Sequence, residues 1–155
     1  AHSSGKNRPT PTHTRMKRRN LNLTPVERAV AYAKFSKMLT SAHLQALIGG
    51  DMNRVLDSVC TLLFIAAAAA HHADILDADV KVIHGACRAS VQACSEERLT
   101  DLHRGALESG LLAIERLRPR LPVPTLVLAS TEVAILIRQG GVYWRDFQKY
   151  VQECV

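Results

Sequence analysis

From residue 24 onward the apolar side chains recur at three- and four-residue intervals, the spacing of helices that bury one face. The first such segment has a marked start. Thr24 stands at an N-cap position, Pro25 at the first helical position and Glu27 three residues after the threonine, the pattern of a capping box. The pattern predicts a helix to about Thr40, with Val26, Ala29, Val30, Ala33 and Leu39 facing inward and Tyr32, Phe35 and Met38 nearby. Ser41 to Ile48 reads as a short second helix, stopped by Gly49-Gly50. Asp51 then caps a long third helix carrying Val55, Leu56, Val59, Leu62, Leu63 and Ala66 at helical spacing. From Val59 to Ala70 it is apolar on nearly every face, which places it at the centre of a bundle. The five alanines Ala66 to Ala70 let neighbours approach closely. The apolar run itself is too short to span a bilayer.

Asp74, Asp77 and Asp79 mark a break. A fourth helix is expected from about Ala78 to Cys94, with Val80, Ile83, Cys87 and Val91 inward and Gly85 as a weak point. Ser95 or Thr100 caps a fifth, reaching Arg116 or Leu117, with Leu99, Leu102, Leu107, Leu111 and Ile114 as its stripe. Pro119, Pro122 and Pro124 enforce a connector. Thr125 caps a sixth helix to about Arg138, although Thr125 to Leu128 also suits a short β segment. Gly140-Gly141 precede a last helix from Val142 or Tyr143. The expected fold is all-α, a compact bundle of about six to seven helices. Residues 24–155 form one helical domain and residues 1–23 an arm that is extended or disordered when free. Within the arm, Ala1 to Gly5 has the composition of a tag remnant and carries no functional reading.

Composition supports packed helices. Apolar residues make up 47% of the chain but aromatics only 5%, so the core rests on Leu, Val, Ile and Ala rather than on strand-forming residues. The cysteines, Cys60, Cys87, Cys94 and Cys154, form no C-x-x-C pair, and no secretory h-region opens the chain. Reduced thiols and a cytoplasmic location, away from any membrane, are expected. Net charge is +6, and Lys6, Arg8, Arg15, Lys17, Arg18 and Arg19 carry all of it. Residues 1–20 hold no acid, and the remaining basic side chains equal the 14 acidic ones.

Little of this pattern points to catalysis. There is no G-x-S-x-G, phosphate loop or G-x-G-x-x-G, and no carboxylate dyad. Glu96 and Glu97 are expected to favour a helix N-terminus electrostatically. His71, His72, His84, Cys87 and Cys94 raise the question of a metal, since His84 and Cys87 share a helical face. Nothing completes a tetrad, and Cys87 and Cys94 fall on the predicted core stripe. The reading is of no metal, no cofactor and no enzyme. The arm is the main functional signal: Arg15, Lys17, Arg18 and Arg19 suit phosphates, with counterion release as the driving term, or an acidic protein surface, and a solvated tail that aids solubility is the third reading. Near the C-terminus, Tyr143, Phe147 and Tyr150 form a helical stripe suited to packing. Trp144, off that stripe, and Arg145 are candidate interface contacts. A homodimer through Ala66 to Ala70, or through the C-terminal aromatic helix, is a further option.

The run Lys6-Asn7-Arg8-Pro9-Thr10-Pro11, the basic cluster after it, and Leu23-Thr24-Pro25-Val26-Glu27-Arg28-Ala29 together resemble functionally uncharacterised small phage and prophage proteins of proteobacteria. Those begin with a basic K-x-R-P-x-P arm and continue as an Ala- and Leu-rich helical domain. The resemblance spans the arm and the first two or three helices. It implies an accessory protein that binds a host protein or nucleoprotein complex, one version being a stoichiometric inhibitor of a defence system such as CRISPR. A DNA- or RNA-binding regulator is the alternative, and an enzyme the third.

Overall fold

In the computed structural model, which describes residues 22–48 and 51–138, every regular element is helical. Five α-helices follow one another: α1 (Pro25–Ile48), α2 (Met52–His72), α3 (Ala78–Glu96), α4 (Asp101–Leu117) and α5 (Val123–Arg138), with a 3-10 turn at Arg118–Arg120 before α5. Among the described residues the all-α expectation holds, with five α-helices against the six to seven expected of the whole chain. The helix foreseen after Val142 lies outside the described residues.

Helix α2 organises the rest. From Val59 to Ala70 every side chain except that of Thr61 is buried, and α2 touches all four other helices. It is long and apolar enough, at 21 residues, to cross a membrane by length and composition, unlike the shorter run within it. In this fold 72% of its most apolar 18-residue window is buried inside the bundle. Ala66 to Ala70 are at most 1% exposed, so they serve α2's own neighbours and offer no surface to a second copy.

Several local expectations change. Helices predicted to break near Thr40 are one continuous α1. No Gly or Pro interrupts residues 40–48, and Thr40 keeps its hydroxyl inside the helix by donating to the Ser36 carbonyl at 3.1 Å. The inward face of α1 is only partly as expected: Leu39 is buried, together with Phe35 and Ala42, while Val26, Ala29, Val30 and Ala33 are exposed. Thr125 to Leu128 is helical, because the Pro122 carbonyl accepts from the backbone of both Thr125 and Leu126 and starts α5 at Val123. In α4 the exposed Leu102 gives way to His103, which takes the inward position of the first turn.

The caps explain the boundaries. Thr24 and Glu27 make the expected reciprocal pair, at 2.9 and 3.1 Å, and hydrogen bonding from Thr24, its backbone amide first, holds the Glu27 carboxyl below its usual range. Thr100 caps α4 in the same way, but with the His103 ring in place of a carboxylate. Asp77 caps α3 through the Val80 amide. Asp51 precedes α2 without a side-chain cap bond. Glu96 and Glu97 sit at the C-terminus of α3 rather than at the start of α4. Glu97 takes a left-handed conformation at φ 53°, and the Arg98 amide reaches back to Ala93. The same closure ends α2, with Asp74 at φ 55° and the Ile75 amide on Ala70.

Polar side-chain contacts tie neighbouring helices. His72 bonds Glu132 at 2.7 Å between α2 and α5, and Arg116 bonds Asp79 at 2.9 Å between α4 and α3. Arg120 pairs with Asp77 and holds that carboxyl low.

Gly110 of α4 sits where three helices meet. A Cβ there would lie 2.5 Å from that of Ala86 and 2.9 Å from a Leu63 methyl, whereas one on Gly105 would meet nothing within 4 Å. We predict that Gly110→Ala costs about 1–3 kcal/mol by overpacking. Gly105→Ala is predicted to stabilise by about 0.5–1 kcal/mol through helix propensity. Urea unfolding of both variants checks the pair, and equal effects would contradict this packing.

Candidate interaction surface

The arm residues Lys6, Arg8, Arg15, Lys17, Arg18 and Arg19 lie outside the described residues. So do Trp144, Arg145, the Tyr143, Phe147 and Tyr150 stripe, and Cys154. The structure does show α1, the helix that follows the arm in the sequence. The chain enters α1 at Thr24, and the outer face of α1 carries an apolar stripe whose spacing alone suggests an inward face. Val26 is 72% exposed, Val30 62%, Leu44 52% and Leu47 79%. Ala33, Lys37 and Thr40 lie between them and are exposed as well.

These seven positions, 26, 30, 33, 37, 40, 44 and 47, alternate in steps of four and three. That is the heptad spacing of a coiled-coil seam. The stripe faces away from Phe35, Leu39 and Ala42, so α1 has two apolar faces, one spent on the core and one outward. The signal is present in the sequence. Both stripes have helical spacing, and only the packing against α2 decides which of them is internal. At the edge of this surface Arg118 lies over the Tyr32 ring, 5.7 Å from its centre, and donates to the Ser36 hydroxyl at 3.2 Å. A hollow of about 410 Å³ opens on the flank between α1, α2 and α5, floored by Phe35, Met38, Ile65 and Leu126 with Lys34 at its edge.

The interior holds the groups that suggested chemistry, and burial subdues them. Cys60 and Cys87 are buried free thiols. Burial pushes Cys60 up to about 12, offset in part by a hydrogen bond with Ser90, and pushes Cys87 well above the ordinary thiol range. Both are therefore protonated and unreactive at neutral pH. Cys94 is exposed, against its expected place on the core stripe, because the inward positions at that end of α3 go to Ser90 and Ala93. His84 shares the buried face of α3 with Cys87, and neither of its ring nitrogens has a hydrogen-bond partner among the described residues. His71 and His72 stack edge to face, and His72 is held by Glu132. Among the described residues no three His, Cys, Asp or Glu side chains converge on a metal position.

Comparison with protein-family models, with curated proteins and with solved structures gives no match for this chain.

The His84 environment generates a pH prediction. Burial, and then the positive charge of Arg88, depress its pKa from 6.5 to about 4. Unfolding restores the higher value, so the unfolded chain takes up a proton that the folded chain refuses. Stability is full above pH 6.5 and falls as pH drops toward 4, by roughly 3 kcal/mol across that window. His84→Leu should flatten this limb and raise stability at neutral pH, since it removes an unpartnered buried polar ring. Urea titrations at several pH values check this. A variant with an unchanged acid limb would show that His84 does not carry it.

Proposed function

We propose that this chain is a non-enzymatic binding protein of the phage-accessory kind, a rigid helical body that presents an adhesive arm and surface to a host protein or nucleoprotein complex in the bacterial cytoplasm. The observation that carries this reading is the division of labour in the chain. The arm holds the whole charge excess, while the body is charge-balanced and buries Cys60, Cys87 and the His84 imidazole in its core. Such a body contributes shape, and the arm contributes attachment. Stoichiometric inhibition of a defence complex such as CRISPR is the form of this activity that best uses a small protein with no turnover. The arm's density of Arg and Lys favours a second reading, direct DNA or RNA binding, in which phosphates take the place of an acidic protein surface.

The two readings separate in one experiment. In affinity capture from host lysate, a protein target is expected to stay bound after nuclease treatment and to saturate at a fixed ratio. If the arm binds duplex DNA instead, the log of affinity should fall with log salt at a slope of up to about −5 for six phosphate contacts, and deletion of residues 6–19 should abolish that slope. Capture that ignores both nuclease and arm deletion would exclude the arm from either role.

A further inference from the structure

Helices α3 and α4 run antiparallel, as the Asp79 to Arg116 pair and the approach of Gly110 to Ala86 show. Their outward edges bound an open hollow of about 550 Å³. On the α3 side Gly85, Arg88 and Gln92 line it, and on the α4 side it runs from Asp101 past Gly105 to Ser109. A Cβ on Gly85 or Gly105 would meet nothing within 4 Å, so another backbone can approach these walls closely.

Polar groups without partners give the hollow its chemistry. The side chains of Arg88 and Asp101 both line it, yet neither has an ion pair or hydrogen bond among the described residues. On the same two helices Arg116 and Asp79 do close, to 2.9 Å. The antiparallel register explains the difference. It sets Arg88 level with Ser109, two turns along α4 from Asp101, about 12 Å away at 1.5 Å per residue. The third group is His103, a hollow-lining side chain only 5% exposed. The Thr100 amide donates to its Nδ1 at 3.2 Å, so the neutral ring carries its proton on Nε2. Nε2 has no partner among the described residues.

We infer that this hollow binds the zwitterion of a short free peptide, about three residues long. The peptide's carboxylate meets Arg88 and the Ser109 hydroxyl, and its ammonium meets Asp101. The His103 Nε2–H donates to a peptide carbonyl. Gln92 has already given its amide nitrogen to Glu96 at 3.1 Å, which leaves its Oε1 to accept from a peptide N–H. Three extended residues span roughly 10 Å, which fits the separation of the two charges. Phosphate or another simple anion would meet Arg88 and place nothing on Asp101. The terminus of a folded protein brings one charge and leaves the other bare. These contacts take the termini and backbone of the peptide, so its side chains are free to face solvent. The site is independent of the arm and of the host partner proposed above.

Triglycine is the probe, titrated into the full chain near neutral pH and followed by backbone amide chemical shifts. Saturable shifts at Gly85, Ala89, Gly105 and Ala106 are expected, with a Kd of about 1 mM, the scale that ordinary ligand efficiency gives a molecule of this size. N-acetyltriglycine lacks the ammonium and triglycine amide lacks the carboxylate. Each should bind about tenfold more weakly, the worth of one charged hydrogen bond. Arg88→Gln should weaken triglycine by a similar factor and leave triglycine amide unaffected. Asp101→Asn should weaken triglycine and spare N-acetyltriglycine. Both residues are exposed, so neither change disturbs the core. Gly105→Leu should fold, because the position is open and leucine favours a helix, and should abolish binding by filling the hollow. The absence of shifts at about 10 mM triglycine, equal binding of the blocked peptides, unchanged affinity in the two charge variants, or binding that survives Gly105→Leu overturns the site.

Discussion

The fold depends on one constraint, that α2 must be covered on all sides. An amphipathic helix needs one neighbour, but a helix that is apolar from Val59 to Ala70 exposes grease in whatever direction it lacks one. Each of the other four helices contacts α2, and their buried stripes, Phe35 and Leu39 on α1, Ile83 and Cys87 on α3, Leu107 and Ile114 on α4, Leu126 and Val133 on α5, belong to one core cluster. The alanines at the C-terminal half of α2 bring those helices close. Gly110 lets α4 approach Ala86 and Leu63 where a Cβ would already clash. Polar ties such as His72 to Glu132 then orient helices whose association burial has already secured.

That constraint also shapes the candidate surface. Covering α2 uses one face of α1 and leaves the other face, with its own apolar stripe, in solvent. Surface leucines and valines scattered singly need no explanation. Val26, Val30, Leu44 and Leu47, aligned at heptad spacing on one helix whose core face lies elsewhere, form a continuous exposed stripe and are a different case. The interior thiols of Cys60 and Cys87 and the His84 imidazole are titration-silent near neutrality.

Much of this is legible in the sequence. The centrality of α2 follows from its unbroken apolar run, and the capping box at Thr24 and Glu27 places the start of α1 to the residue. The departures have physical reasons. The pair Thr40-Ser41 suggests a break, yet a threonine whose hydroxyl bonds back to the Ser36 carbonyl continues a helix. The cap at Thr100 can be placed from sequence but not its reciprocal partner, because a histidine ring fills the role usually held by Glu or Gln. The facing of α1 cannot be read, since Val26, Ala29, Val30 and Ala33 form as good a stripe as Phe35, Leu39 and Ala42. Only the tertiary demand of α2 chooses between them. The second stripe, the candidate surface, is therefore hidden in the sequence by its likeness to core.

The central claim, that burial of α2 holds the whole bundle, is tested most directly by native-state hydrogen exchange. If the claim is right, the amides of Val59 to Ala70 exchange only by global unfolding. Their opening free energies should match the stability measured by urea and fall together with it as denaturant rises. Exchange of those amides through a smaller opening, while α3 and α4 stay protected, would contradict it.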